Sequence, residues 1–394
     1  GQKQDAIPGF INEMWTVIQE PGVYRGQCAE LCGKDHGFMP VVVRAVPEEE
    51  YVEALLRDLE SDLELVAGRR VSSVFFGGGT PSLFSPESIG RVIDALADKL
   101  GFEGSPEVTL EANPGAIERG SFRGYARAGV NRISLGVQSF SPAQLQALGR
   151  IHSRDEAVTA AREVRESGID NLNLDLMFAL PGQDPAACLE DLQHALALAP
   201  THLSHYQLTL EPGTPFYHRP PTLPDDDSAW DMQARCQGLL KEAGFEHYEV
   251  SAWAQPGKAC VHNLNYWNFG DYLGIGAGAH GKLTTTAGVT RTEKPRLPGE
   301  FMARAGDGGM RRTIPEDELP FEWALNGLRL PGGASLAEFE VTTGLPRTVL
   351  DEVVGDLSRR GLLLTKNERL APSALGLRFL NDVQAAFLDV RCTQ

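Results

Sequence analysis

From residue 41 to residue 253, short runs rich in β-branched and aromatic residues alternate with amphipathic stretches, and this alternation constrains the fold more than any other feature of the chain. The strand candidates are 41–46 (VVVRAV), 71–76 (VSSVFF), 108–112 (VTLEA), 132–137 (RISLGV), 171–177 (NLNLDLM), 202–208 (HLSHYQL) and 247–253 (HYEVSAW). Helical patterns occupy 47–66, 86–100, 117–128, 154–167, 185–198 and 226–243. In the first of these, Tyr51, Leu55, Leu59, Leu63 and Val66 share one face, and Glu48, Glu49 and Glu50 sit in the first turn, where the helix dipole favours them. Strand and helix in strict alternation imply parallel strands with right-handed crossovers. The expected fold class is α/β, a complete or partial TIM-like barrel of β/α units. After residue 305 the pattern changes to three short helices, a short hairpin and a closing helix, the order of a small winged-helix-like domain. The glycine-rich stretch 305–310 reads as a linker, giving units 1–46, 47–304 and 305–394.

Charge narrows the function classes. A formal net charge of −17 argues against a surface that neutralises phosphates, and the winged-helix-like region has no basic recognition helix, so no nucleic-acid partner is expected. A small molecule or another protein is the expected partner. The six cysteines are Cys28, Cys32, Cys188, Cys236, Cys260 and Cys392, and only the first two are close enough in sequence to read as a ligand pair. That usage fits a reducing compartment. With no apolar run of about eighteen residues and no visible leader, the expected location is cytoplasmic, without a transmembrane segment.

In a β/α barrel the chemistry gathers just beyond the strands. After 71–76 come Gly77, Gly78, Gly79, Thr80 and Pro81, which either let the backbone touch a ligand or simply make a tight turn. Glu111 follows on the next strand end, then Gln138, then Arg150. Asp175 lies inside the otherwise apolar run NLDLM and needs a partner, because a poorly satisfied buried charge costs several kcal/mol. A guanidinium and a carboxylate facing one cavity suit a zwitterionic ligand; the alternative is that Arg150 and Asp175 pair with each other.

Taken together, GGGTPS (77–82), LEANPG (110–115), AGVNRISLGVQSF (128–140), LGRIH (148–152), NLDLMFALPGQ (173–183), LTLEPGTPF (208–216) and HNLNYWNFGDYLGIGAGAHG (262–281) resemble the radical S-adenosylmethionine enzymes of the coproporphyrinogen III dehydrogenase group, and within it the haem chaperone branch, HemW. The likeness runs from about residue 47 to the end of the chain. It implies a barrel that binds S-adenosylmethionine beside a [4Fe-4S] cluster, with Gly78, Gly79, Thr80, Glu111, Gln138, Arg150 and Asp175 matching the family's S-adenosylmethionine contacts. The pattern His262-Asn263-x-x-Tyr266-Trp267 resembles the chaperone branch rather than the oxidase branch. Chemically it offers an imidazole for haem iron, an amide for positioning and two aromatic faces for a porphyrin; a hydrogen-bonded core histidine is the other reading.

The family's Cys-x3-Cys-x2-Cys loop, whose three thiolates hold the cluster, is absent. In its place, residues 5–46 resemble the end of cytochrome c oxidase subunit II, a cupredoxin fragment. That resemblance assigns Cys28 and Cys32 as bridging thiolates, His36 and Met39 as terminal ligands and the Glu30 carbonyl as a further donor, a set suited to copper. The second histidine of such a dicopper centre belongs to a barrel domain that this stretch is too short to build, so no working copper site is expected. As cluster ligands, Cys28 and Cys32 would need Asp35 as a third, so neither a cluster nor radical initiation is expected. The strand VVVRAV is expected to take the vacant first position of the barrel. The function implied is that of a haem chaperone binding haem and S-adenosylmethionine and passing haem to an acceptor, with membrane-associated respiratory proteins among the candidates. The alternatives are an oxygen-independent coproporphyrinogen III oxidase and a dicopper electron-transfer protein.

Overall fold

The computed structural model of the protein describes residue 18 and residues 20–27, 40–115 and 121–391. Cys28, Glu30, Cys32, His36 and Met39, the dicopper-like set, lie outside the described residues, as do Asp35 and Cys392. Two strands come first, β1 (Gly22–Gln27) and β2 (Pro40–Ala45), followed by helix α1 (Glu48–Asp62). The β/α series then reads β3 (Val71–Phe76), α2 (Pro86–Lys99), β4 (Phe102–Ala112), α3 (Phe122–Arg127), β5 (Arg132–Gln138), α4 (Pro142–Ala147), α5 (Arg154–Glu166), β6 (Asn171–Phe178), α6 (Pro185–Ala197) and β7 (His202–Gln207). It closes with α7 (Pro215–His218), α8 (Asp226–Glu242), β8 (Glu246–Glu249) and β9 (Ala252–Ala254). Side-chain caps start four of the five longest helices, Ser85 for α2, Ser153 in a capping box with Glu156 for α5, Asp184 for α6 and Asp225 for α8, whereas α1 begins at Pro47 without one.

One seven-stranded sheet carries the fold, in the order β3-β4-β5-β6-β7-β9-β8. Strands β3 to β7 are parallel, as the alternation requires. The last candidate, 247–253, instead divides into β8 and β9, which pair antiparallel with each other, while β9 also runs antiparallel to β7. The physical reason is length: two short strands separated only by Val250 and Ser251 have no room for a crossover.

The expectation for VVVRAV is overturned more completely. β2 pairs antiparallel with β1, Gly22 opposite Ala45 and Gln27 opposite Pro40, and neither strand joins the barrel sheet, whose edge is β3. A strand's hydrogen-bonding edge is satisfied by whichever partner it meets, and here that partner is local. Val41, Val42 and Val43 are 58%, 54% and 45% exposed, so this hairpin buries little of its apolar content. Two-stranded hairpins are at best marginally stable in water. Amide exchange of Val41–Arg44 is therefore expected to be at least about a thousandfold faster than that of Ile133–Val137 in central β5, since local opening spans the range from near zero to the global free energy. Equal protection of the two segments in a hydrogen-exchange experiment would contradict this reading.

The period of two in each strand sorts residues onto two faces of the curled sheet. Val108, Leu110, Ile133, Leu135, Leu172, Leu174, Leu176 and Leu203 point outward and pack with residues of α2, α3, α5, α6 and α8 in the main core. The intervening residues of β5, β6 and β7 bond to one another across the concave face, through Ser134, Asn173, Asp175, His202 and Ser204. A polar concave face is what a ligand site requires and a stability core does not.

Beyond the sheet come α9 (Val261–Trp267), β10 (His280–Thr285), β11 (Gly288–Glu293), α10 (Pro298–Arg304) and β12 (Met310–Thr313), with β10, β11 and β12 forming a three-stranded antiparallel sheet. Directly after β11, Lys294 is 2% exposed and donates to Asp58 Oδ1 at 2.6 Å and Asp62 Oδ2 at 2.7 Å, both on α1. This buried ion cluster fixes α1 to the segment beyond the barrel. The chain ends in α11 (Leu319–Gly327), β13 (Ala334–Ser335), α12 (Leu336–Thr343), α13 (Asp351–Arg359), the hairpin β14 (Leu363–Lys366) and β15 (Arg369–Pro372), α14 (Ala374–Arg378) and α15 (Leu380–Ala385). Their own core, around Trp323, Phe339, Leu357 and Phe387, extends back to Phe269 and Val289. Among the described residues no helix is long and apolar enough to cross a membrane.

Candidate functional site

The glycine loop after β3 is shaped by two constraints. A Cβ on Gly77 would stand 2.7 Å from the Phe75 ring and 3.2 Å from Glu111 Oε2, so the backbone passes there only without a side chain. Gly78 has φ +86°, a conformation that glycine adopts freely. At Gly78 and Gly79 a Cβ would meet nothing within 4 Å, so the loop borders open space, with Thr80 half-buried beside it. The Gly78 amide donates to the Glu111 carboxylate, which ties the loop to the end of β4. The tight-turn reading and the ligand-contact reading are thus compatible: the turn is real, and it leaves a gap.

Asp175, on β6, is held by three neutral groups. Asn173 Nδ2 donates to Oδ1 at 2.8 Å, Ser134 Oγ donates to Oδ2 at 3.2 Å, and Ser204 also contributes a hydrogen bond. Burial nevertheless pushes its carboxyl above the usual range. Glu111 is raised too, first by burial and then by the negative charge of Asp175. Two carboxyls raised by burial, one of them also by the charge of the other, form a site that a cation would relieve. Gln138, at the end of β5, has φ +67°, an uncommon conformation for a residue with a side chain, and its Oε1 accepts a 2.6 Å hydrogen bond from the Tyr206 hydroxyl. Arg150 is exposed and makes no ion pair with Asp175 among the described residues, so the reading in which the two merely pair is overturned. The reason is geometric: Asp175 lies within the sheet and is already satisfied by its strand neighbours.

The HNLNYW stretch forms α9. Its start is fixed by Glu107 of β4, whose Oε1 accepts from Cys260 Sγ at 3.3 Å and from the His262 amide at 3.2 Å. The His262 ring stacks on Phe75 with centroids 4.4 Å apart and meets Tyr266 edge-on at 4.7 Å. Burial, and then the Arg132 guanidinium, lower its pKa to about 4, so the imidazole is neutral. Its ring nitrogens take no hydrogen bond among the described residues, against the hydrogen-bonded core histidine expected on the other reading. Asn263 Nδ2 donates to the Tyr248 hydroxyl at 3.2 Å. Arg329 lies over the Trp267 ring at 4.3 Å, and Trp267 Nε1 is buried without a partner.

Sequence reasoning missed Asn173, His202, Tyr206 and Tyr248, which knit the concave face together. The alternation in NLNLD and HLSHY carried the signal, since every second residue there is polar. It also missed Cys188 and Cys236, whose sulfurs lie 3.4 Å apart beside His205 on the outer, helix-covered face. The nearby Asp191 is engaged by the Ser139 hydroxyl and the Phe140 amide, so it is not a ready fourth donor. The remaining described cysteine, Cys260, bonds to Glu107. No three cysteines come together among the described residues, and the sequence lacks the Cys-x3-Cys-x2-Cys loop, so the residues present do not fit a [4Fe-4S] cluster. The open space at Gly78 and Gly79, beside the buried carboxyls of Glu111 and Asp175, does fit the cationic, zwitterionic S-adenosylmethionine.

Comparisons with known proteins identify the family and the fold. The model of the radical SAM superfamily matches residues 39–195, and that of the cytochrome c oxidase subunit II periplasmic domain matches residues 1–46. The heme chaperone HemW of Escherichia coli is 45% identical over 344 residues, covering 87% of this chain and 91% of the relative. That of Haemophilus influenzae is 42% identical over 353 residues, with the same coverage of 87% and 91%. The mitochondrial radical S-adenosyl methionine domain-containing protein 1 of Bos taurus is 35% identical over 370 residues, covering 89% and 83%. In structure, the coproporphyrinogen III oxidase HemN of Escherichia coli superposes with a TM-score of 0.71 at 19% identity, covering 92% of this chain and 87% of that one, which shows a shared fold. At 42–45% identity over 87% of its length, the chain belongs to the HemW haem chaperone family of radical S-adenosylmethionine proteins.

Proposed function

We propose that the chain is a haem chaperone that binds haem at α9 through His262, binds S-adenosylmethionine between the Gly78–Thr80 loop, Glu111, Gln138, Arg150 and Asp175, and passes haem to an acceptor protein. The observation that carries the reading is the His262 imidazole, which is neutral, takes no ring hydrogen bond among the described residues and is framed by Phe75 and Tyr266. A neutral imidazole nitrogen is the form that ligates iron. Asn263, held by Tyr248, and the Tyr266 and Trp267 rings supply the amide and the aromatic faces for a porphyrin edge. In the S-adenosylmethionine pocket, the Asp175 and Glu111 carboxylates would take the ammonium and offset the sulfonium, while exposed Arg150 at the rim would take the ligand's carboxylate. Chemically, S-adenosylmethionine supplies an adenosyl sulfonium. No radical step enters this reading, because the sequence lacks the three-cysteine loop that would hold a cluster able to reduce the sulfonium.

The test is an absorbance titration of the purified full chain with haemin. One haem per chain is expected, and His262→Ala should bind at least about tenfold more weakly, a loss of roughly 1.4 kcal/mol, with partial spectral rescue by free imidazole. An unchanged affinity and Soret band in His262→Ala would overturn the assignment of the ligand. Failure of the intact chain to take up haem would overturn the chaperone reading itself.

A further inference from the structure

We propose that Asn173, His202 and Tyr248 form a hydrogen-bond chain of fixed polarity that couples Asp175 in the S-adenosylmethionine pocket to Asn263 on the haem-binding helix. The coupling rests on the reading above; the chain itself is a property of the fold. It starts at Asn263 Nδ2, which donates to the Tyr248 oxygen at 3.2 Å. The Tyr248 hydroxyl lies 2.7 Å from His202 Nε2, and His202 Nδ1 lies 2.6 Å from Asn173 Oδ1. Asn173 Nδ2 then donates to Asp175 Oδ1 at 2.8 Å. Four hydrogen bonds thus connect α9, β8, β7 and β6 without a gap.

The direction of every bond follows from donor inventory. Both donors of Asn173 are used, on Ser134 Oγ at 2.8 Å and on Asp175, so its oxygen must accept. His202 therefore carries its proton on Nδ1. The ring is fully buried, and burial together with Arg132 keeps it neutral, so Nε2 is bare and must accept from Tyr248. Tyr248, having given its one proton, accepts from Asn263. All four donors point toward Asp175, which is the polarity that an ionised carboxylate demands.

A second polarity exists, and it requires one more proton. If Asp175 is neutral, its hydroxyl donates to Asn173, both amides turn over, His202 takes the Nε2–H tautomer and Tyr248 donates to Asn263. The extra proton, taken from solvent, resides on Asp175. The ionisable groups facing Asp175 are Glu111, Arg132 and Tyr206, and those near His202 are Arg132 and Tyr248. A cationic ligand beside Asp175 holds it ionised and selects the first polarity, which sets which end of the amide of Asn263, the residue after His262, faces Tyr248. Two discrete arrangements biased from both ends are what energetic coupling needs, and buried hydrogen-bonded chains polarise one another along their length.

Histidine-labelled full chain tests the chain without ligands. The 15N ring shifts of His202, assigned with His202→Gln, are expected to report the Nδ1–H tautomer in the wild type and the Nε2–H tautomer in Asp175→Asn, where the neutral amide can donate to Asn173. The Nε2–H tautomer in the wild type, or an unchanged tautomer in Asp175→Asn, overturns the proposal. Equilibrium dialysis then tests the coupling. Haemin and S-adenosylmethionine are expected to raise each other's affinity by one common factor of about fivefold or more, falling to unity in Tyr248→Phe, which keeps the ring but loses the hydroxyl. If both ligands bind with independent affinities, or if Tyr248→Phe retains the factor, the coupling is overturned and the chaperone reading stands. If either ligand fails to bind at all, that reading falls and the coupling with it, leaving the tautomer result to judge the chain.

Discussion

Lys294→Met is expected to destabilise the protein by about 3–5 kcal/mol, the cost of removing one partner from a buried ion cluster. Lys294, Asp58 and Asp62 have side chains 1%, 2% and 1% exposed. Asp58 Oδ2 also accepts from the Gly276 amide at 3.1 Å, and Arg311 stands 3.5 Å from Asp62 Oδ1, but neither replaces the lysine between the two acids. Without it, two carboxylates one helical turn apart are buried together. Urea unfolding of the variant checks the magnitude, and the triple change Lys294→Met, Asp58→Asn, Asp62→Asn should recover part of the loss, because the uncompensated charge is then gone. A loss below about 1 kcal/mol, the range of exposed ion pairs, would mean that water reaches the cluster.

Asp175→Asn and Glu111→Gln are each expected to weaken S-adenosylmethionine binding by about 10–100-fold, the worth of a charge-assisted hydrogen bond of roughly 1.5–3 kcal/mol. The pH dependence has a definite sign. Both carboxyls are raised, so they take up protons on acidification before an ordinary carboxylate does, and a cationic ligand loses its counter-charge as they do. Affinity should therefore fall as the pH drops toward the ordinary carboxylate value of about 4, with the decline setting in above it. For the free protein the same shifts run the other way: each acid, raised in the folded state, contributes stability at low pH that is lost as pH rises through its folded pKa. The thermal shift produced by S-adenosylmethionine should consequently be larger at pH 7.5 than at pH 5. A shift independent of pH would remove these two acids from the pocket.

Much of the architecture was legible because it depends on local periodicity. The β/α alternation and the separate helical and hairpin pattern after residue 305 are properties of neighbouring residues. The glycine run, Glu111 and Gln138 were legible as residues at or after strand ends and Asp175 as a lone acid inside a strand; in the structure the Gly78 amide bonds to Glu111, Glu111 feels the charge of Asp175, and Gln138 bonds to Tyr206. The pairing of VVVRAV was not, since a strand's sequence states its two faces but not which edge it will meet. The antiparallel turn-back of β8 and β9 was hidden for the same reason: 247–253 reads as one run until the bend at Val250 and Ser251 is seen.

The sequence by itself determined the alternation of faces, the polar residues at strand ends, the family blocks and the absence of the three-cysteine loop. Only the tertiary structure decided that Asp175 bonds to Asn173 rather than Arg150, that His262 rests on Phe75 from 187 positions earlier in the chain, and that His202 and Tyr248 bridge the two candidate sites. Periodicity is written in adjacent residues and survives any global arrangement. Hydrogen-bond partners and ring stacking depend on which strands lie side by side, and that choice is made by the whole core at once.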